Sequence, residues 1–303
     1  MLTRVAGELA GDCDCAFAPF YADGLLRGLA SAGWLDFTIL AGQAQRRSLE
    51  HAARLGLPID PRGERGGYDL ALMGTDLALP GNLSGTPIVL VQEGMTDPED
   101  WRYHLVRGLR LPRFLANTSM TGLSHAYARF CVASEGYRDL FERKGVRRDR
   151  IVVTGIPNFD DVDAARDNDF PHRGYVLAAT SCLRETLKPE DRRAFIRKAL
   201  GVAGGRPLLF KLHPNEDVAR ARGEIAREAP QARVLAEGNT LHMVANCEAL
   251  VTKYSTVLLW AVALGKEVHC DLPAAELRTL APLQTGGRSA ARIAEVCRKV
   301  MAG

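Results

Sequence analysis

One carboxylate, two imidazoles and several cations stand in this sequence where a buried apolar run gives way to glycine, proline or a helix cap. Val89-Leu90-Val91 leads into Gln92-Glu93-Gly94, an apolar strand that delivers a carboxylate into a glycine turn at its carboxyl end. Ligands of open α/β sheets bind at that end. If partial burial raises its pKa toward neutrality, Glu93 is a general base that takes a proton from a hydroxyl. His125, just ahead of the apolar run Arg129–Ala133, is the alternative base, or else an ordinary loop histidine. Phe210-Lys211-Leu212-His213-Pro214 ends another strand, and Pro214 enforces an extended exit. Lys211 and His213 share one strand face, so both point toward a ligand or neither does. A third strand ends at Thr252, and Ser255-Thr256 cap the apolar helix behind it. A cap there leaves N–H groups and the positive end of a helix dipole which, with Lys253, attract a phosphate; the same residues also serve as plain N-caps. Ala236-Glu237-Gly238-Asn239-Thr240 follows a strand and opens a short helix. It suits either contact of Glu237 and Asn239 with a base or ribose, or a glycine turn with an N-cap.

These residues depend on a repeated pattern of short apolar run, loop and helix. Strands are expected at Cys13–Ala18, Asp36–Leu40, Asp69–Met73, Pro87–Gln92, Arg129–Ala133 and Ile151–Thr154, with helices at Ala22–Ser31, Ala44–Leu55 and Glu135–Lys144. The pattern restarts after a polar stretch, Pro157–His172, with five Asp and two Asn, which reads as an interdomain linker. Strands then follow at Tyr175–Ala179, Pro207–Leu212, Ala232–Leu235, Ala249–Thr252 and Glu267–Cys270. Helices fall at Pro189–Leu200, Asp217–Glu228, Thr240–Asn246, Thr256–Leu264 and, closing the chain, Arg288–Met301. Strands this apolar, alternating with helices, imply parallel sheets covered on both faces.

The bulk composition agrees. A chain of 303 residues is long enough for two domains, expected at 1–160 and 173–303 with the final helix crossing the junction. A formal charge of +3 argues against a nucleic-acid partner. The seven cysteines are odd in number and scattered among apolar neighbours, which reads as reduced thiols in a cytosolic protein. No apolar run reaches the ~20 residues of a membrane span, and Glu8, Asp12 and Asp14 stand where a signal peptide has its apolar core. Trp101–Arg150 carries eleven Lys and Arg with Trp101, Tyr103 and Leu109 interleaved. It is either a solvated helix face or a surface for an anionic acceptor or lipid head groups.

Several of these segments resemble one group of enzymes. Lys253-Tyr254-Ser255-Thr256, with Leu264-Gly265-Lys266 behind it, is similar to the donor-diphosphate segment of the CDP-glycerol glycerophosphotransferase and capsular polysaccharide transferase families. There a strand runs into Asp-Tyr-Ser-Ser and a helix ends in Gly-Lys-Pro. Lys211-Leu212-His213-Pro214 resembles their Lys/Arg-x-His-Pro, and Val176–Arg184 looks like the first strand-loop of their donor domain, which reads Ala-Pro-Thr-x-x-Arg. Gln92-Glu93-Gly94 stands where those families have His-Gly and where non-hydrolysing UDP-GlcNAc 2-epimerases have His-x-Glu-Ala-Gly. The chain departs from the pattern at Gln92, and at Trp260, near where the families carry an acidic residue.

The resemblance implies a GT-B-like α/β fold of two Rossmann-like domains facing across a cleft. It also implies donor contacts from Thr180, Ser181, Arg184, Lys211, His213, Lys253, Ser255 and Thr256, Arg184 with a bidentate grip. The implied function is transfer of a sugar or glycerophosphate unit from a UDP- or CDP-type donor to a hydroxyl acceptor, a lipid-linked glycan among the candidates. The setting is surface polysaccharide synthesis, in the cytoplasm or at the inner face of the membrane with peripheral contact. Fixed cations and N–H groups would stabilise the leaving phosphate, so neither a metal nor a separate cofactor is expected. The rival readings are a UDP-sugar 2-epimerase or hydrolase of the same fold and a non-catalytic nucleotide-sugar-binding protein.

Overall fold

The computed structural model describes residues 1–18, 28, 32, 42–184 and 189–303. The expected helix Ala22–Ser31 and strand Asp36–Leu40 lie outside the described residues. The chain divides into two compact units. The first holds Met1–Val132, Arg138–Pro157 and Arg288–Gly303, and the second holds Ala133–Tyr137 and Asn158–Gly287.

In the first unit, helices α1 (Leu2–Leu9) and α2 (Gly42–Arg54) precede strands β1 (Ala71–Met73) and β2 (Ile88–Val91). Helix α3 (Trp101–Leu109), strand β3 (Arg129–Val132), helix α4 (Glu135–Lys144) and strand β4 (Ile151–Val153) follow. The strands form one parallel sheet in the order β1-β2-β3-β4. All four residues of β2 are buried, as a strand covered on both faces requires. Ser134 opens α4 by accepting from the Tyr137 N–H, and Asp100 caps α3 by accepting from the N–H groups of Arg102 and Tyr103.

The expected first strand, Cys13–Ala18, is reduced to one parallel bridge, Phe17 with Ile59. Its partner segment is Pro58-Ile59-Asp60-Pro61, and prolines on both sides of Ile59 remove the N–H groups that would extend a ladder. Helix α1 is an element the sequence reading did not include. It buries Val5 and Leu9 and packs on the closing helix.

The second unit is a five-stranded parallel sheet. Its elements are β5 (Tyr175–Ala179), α5 (Arg192–Ala203), β6 (Leu208–Lys211), α6 (Val218–Glu228), β7 (Arg233–Leu235), α7 (Thr240–Asn246), β8 (Cys247–Val251), α8 (Val257–Ala263), β9 (Glu267–His269) and α9 (Ala274–Leu280). The strand order is β7-β6-β5-β8-β9. Val176, Ala178, Phe210, Ala249 and Val251 from the strands pack with Phe195, Ile196, Ala199 and Ile225 from α5 and α6. Asp191 and Asp217 cap those helices through Ala194 N–H and Arg220 N–H.

The polar stretch after Pro157 is folded against this unit. It forms short 3-10 turns at Pro157–Phe159 and Ala164–Arg166 and buries Phe159, Val162 and Ala165. Buried Asn246 clamps it, accepting from Asn168 and Arg173 and donating to Asn168 and to the Phe170 carbonyl. The closing helix α10 (Ser289–Met301) belongs to the first unit. It packs on α1 and over β2 and β3, burying Ile293, Ala294 and Cys297.

Candidate functional site

The second sheet has a topological switch point. From β5 the chain moves outward through β6 to β7, then places β8 on the opposite side of β5. A ligand crevice in such a sheet lies outside the carboxyl ends of the two strands where the order reverses. Here those ends carry Thr180–Arg184 after β5 and Thr252–Thr256 after β8. The Thr252 hydroxyl donates to the Ala179 carbonyl at 2.8 Å, tying the two ends together. His213 leaves neighbouring β6, and its N–H donates to the Thr180 hydroxyl at 3.0 Å. Thr180, Ser181, Arg184, His213, Lys253, Ser255 and Thr256 therefore come from loops along one sheet edge.

Beneath these loops lies an ion network that sequence reasoning missed. Glu190 and Glu216 have side chains 1% and 0% exposed. The Arg192 guanidinium, itself 4% exposed, binds Glu190 at 2.9 Å and also contacts Glu216. Glu216 accepts from the Thr180 hydroxyl and from the His213 N–H. Glu190 accepts from the Ser181 hydroxyl at 3.0 Å.

Arg184 is held in the same way. It grips Glu224 with two bonds of 2.7 and 2.8 Å, and its Nε lies 3.3 Å from Glu190. Arg184 holds the Glu224 carboxyl below the ordinary range. The bidentate grip expected of Arg184 on a donor thus falls on a carboxylate of α6 instead. Three cations (Arg184, Arg192, Lys253) stand against three carboxylates (Glu190, Glu216, Glu224), and Lys211 and Arg220 also act on Glu216 and Glu224. Lys253, 24% exposed, makes only a long 4.0 Å ion pair with Glu190.

Lys211 and His213 have separate fates. Lys211 is buried, and its ammonium donates to the carbonyls of Leu212 and Ala236 at 2.7 and 2.9 Å. Burial lowers its pKa, opposed by the Glu216 and Glu237 carboxylates. Through these bonds Lys211 fastens β6 to β7, and its ammonium is engaged by carbonyls where a donor contact was expected. The half-exposed His213 ring accepts the Asn215 N–H at Nδ1, so its ring proton sits on Nε2, 3.7 Å from Cys182 Sγ.

Asn239 caps α7 through the N–H groups of Leu241 and His242, the plainer of its two readings, and Glu237 beside it is exposed. Thr256 stands at the N-cap of α8 with helical φ and ψ and no side-chain capping bond. The cap expected from its hydroxyl is not made. Trp260 donates its indole N–H to the Asn158 carbonyl at 3.2 Å and packs near Phe159.

In the first unit, Glu93 follows the carboxyl end of β2. Its side chain reaches solvent, yet the surrounding protein desolvates the carboxyl and pushes its pKa up, opposed by the positive Met1 amine. The carboxylate lies over Gly74 at the end of β1, where a Cβ would sit 2.5 Å from Glu93 Oε1. Gln92 is buried and braces the turn by donating to the Gly94 carbonyl at 2.7 Å.

His125 is exposed, with φ +56°. It precedes the amino end of β3, where Ala128 N–H donates to Ile88 O at the start of β2. Glu93 and His125 therefore lie at opposite ends of the strands of one parallel sheet.

No family model matches the chain, and no curated protein matches it in sequence. Solved structures do match in fold. A UDP-GlcNAc 2-epimerase from Neisseria meningitidis, bound to UDP-GlcNAc, aligns over 78% of each chain with a TM-score of 0.55 and 14% identity. A UDP-N-acetylglucosamine 2-epimerase from Rickettsia bellii aligns over 99% of this chain and 92% of its own, with a TM-score of 0.55 and 12% identity. A variant of the wall teichoic acid polymerase TagF aligns over 77% of this chain and 73% of its own, with a TM-score of 0.51 and 12% identity. With its two parallel α/β sheets, the chain has the two-domain, Rossmann-like GT-B fold of these proteins.

Proposed function

We propose that this chain is an enzyme acting on a nucleotide-activated donor, and that it transfers a sugar or glycerophosphate unit to a hydroxyl acceptor without a metal or separate cofactor. The observation that carries the reading is the switch point between β5 and β8. It gathers Ser181, His213, Lys253, Ser255 and Thr256 at the edge where α/β sheets bind ligands. A likeness of fold to an epimerase bound to UDP-GlcNAc and to a teichoic acid polymerase supports a nucleotide-linked substrate.

In this reading Lys253 supplies the accessible charge for the diphosphate, and the Ser255 and Thr256 hydroxyls and the His213 Nε2–H supply donors. Arg184 and Arg192 hold the loops in place through their carboxylates. Glu93 takes the acceptor proton. Burial raises its pKa, the direction that makes a carboxylate a stronger general base.

The test is a thermal-shift and calorimetric screen of UDP- and CDP-linked compounds, followed by NMR of the bound compound with and without hydroxyl acceptors. Stabilisation by a nucleotide-linked compound and acceptor-dependent loss of donor support the proposal. A C2-epimer formed without acceptor overturns it in favour of an epimerase. Tight binding without turnover makes the chain a binding protein, and no binding at all removes the nucleotide.

A further inference from the structure

The first unit carries an apolar surface that its own core does not use. Ten large hydrophobic side chains are exposed among the described residues, and five of them fall in the fifteen residues from Trp101 to Leu115. Helix α3 shows why. Tyr103 and Val106 are buried with Ala116 and Met120, fixing the inward face. At 100° per residue, Trp101, Leu105 and Leu109 spread over about 80° on the opposite side. They are 68%, 45% and 63% exposed. Leu111 and Leu115 continue the apolar surface in the segment that follows.

Charge says what covers this surface. From Trp101 to Ser134 the chain has five arginines and no Asp or Glu. Arg102 lies over the Trp101 ring, its guanidinium carbon 5.5 Å from the ring centroid, and Arg110 at the helix end is exposed, whereas Arg107 turns toward the inward face and donates to the Tyr103 hydroxyl at 2.6 Å. Asp97, Glu99 and Asp100 all precede the helix. Asp100 is spent on capping it, and Asp97 accepts from Thr118. A second copy of the chain is a poor occupant, because a two-fold interface sets the same patch against itself and would bring these arginines together. A tryptophan and leucines on one face, flanked by arginines, match a helix lying in the head-group region of an anionic bilayer. Among the described residues no helix is long and apolar enough to cross a membrane.

We infer that α3 and the segment to Leu115 dock this protein on an anionic lipid surface, with Trp101, Leu105 and Leu109 entering the interface and Arg102 and Arg110 meeting the lipid phosphates. The inference rests on this surface alone and stands or falls separately from the reaction proposed above.

The test is sedimentation of the full chain with vesicles of phosphatidylglycerol and phosphatidylcholine in equal parts, against phosphatidylcholine alone. Binding is expected to the anionic vesicles only, and to weaken at least about tenfold from about 0.1 M to about 1 M NaCl, as the Debye length falls from about 10 Å to about 3 Å. Trp101→Ser/Leu105→Ser/Leu109→Ser should abolish it with an unchanged unfolding midpoint, because all three side chains are exposed. Arg102→Glu/Arg110→Gly, which leaves the apolar stripe whole, should weaken it about tenfold. Brominated lipid should quench the wild type more than Trp101→Phe. Failure of the folded protein to bind anionic vesicles overturns the inference, and so does undiminished binding by the triple variant. A wild-type dimer that binds no vesicles and becomes a monomer in the triple variant also overturns it, by assigning the surface to a second copy.

Discussion

Replacing Arg192 by Met would leave Glu190 and Glu216 in place while removing the guanidinium between them. Both carboxylates are essentially inaccessible, with side chains 1% and 0% exposed, so water cannot take over the lost partner. Glu190 keeps Arg184 at 3.3 Å and Lys253 at 4.0 Å. Glu216 keeps the Thr180 hydroxyl and the His213 N–H as hydrogen-bond donors, with the Lys211 ammonium as a further charge acting on it. Breaking a buried pair from one side costs about 3–5 kcal/mol, because an uncompensated charge remains. With about 2–4 °C of midpoint per kcal/mol in a domain of this size, the variant should melt about 10 °C lower. Because Glu216 holds the loops after β5 and β6, nucleotide affinity should fall as well. Adding Glu216→Gln to Arg192→Met should return about half of the lost stability, since the amide keeps the hydrogen bonds without the charge. Thermal and urea unfolding of the two variants decide the matter. A loss below about 1 kcal/mol for Arg192→Met, or no recovery in the double variant, would refute the claim that a buried charge network holds these loops.

The proposed reaction makes three further demands on the structure. Glu93→Gln should lower turnover by about 10²–10⁴-fold while leaving donor affinity unchanged in calorimetry. Gly74→Ala, whose Cβ would fall 2.5 Å from Glu93 Oε1, should displace that carboxylate and lower turnover too; unaltered turnover in Glu93→Gln removes Glu93 from the mechanism. Lys253→Ala should weaken binding of a nucleoside diphosphate by about 1.5–3 kcal/mol, the worth of a charged hydrogen bond, and an unchanged Kd would place the diphosphate elsewhere. Alkaline stability tests the thiols. Burial pushes Cys131, Cys247 and Cys297 up to about 12, so folding favours their protonated form. That stability is whole below the ordinary thiol pKa and is lost as pH rises from about 9 toward 12, at up to about 4 kcal/mol per pH unit for the three together. Urea midpoints that stay flat from pH 8 to pH 10 would contradict it.

What the sequence made legible and what it hid divide along a physical line. Strands such as Tyr175–Ala179 and helices such as Glu135–Lys144 and Thr240–Asn246 fall where apolar periodicity put them, because burial on a sheet face or helix stripe is written into spacing. So were the loops of the switch point, since strand ends and glycine or proline exits are local features. The first strand was misread because Cys13–Ala18 has strand-like residues while its partner lies between two prolines forty residues on, a constraint no local window contains. The roles of the cations were hidden for a related reason. Arg184 and Lys211 read as ligand contacts on type and position, yet Glu224 and the Leu212 and Ala236 carbonyls claim them. A sequence shows a charge but not its partner. Leu212 is Lys211's own neighbour, but Glu224 comes from α6 and Ala236 from the turn after β7, brought in by the crossovers of the fold. The one signal that pointed to them was acidic residues close to each loop, Glu190 just before α5 and Glu216 three residues after His213. Acids that near a supposed phosphate cradle must either repel the ligand or neutralise the cations, and the buried Arg192 shows which happened here. In the proposed reading the accessible charge for an anion comes from Lys253, supported by neutral donors, so the Lys253→Ala affinity is the most direct measure of whether a diphosphate binds there.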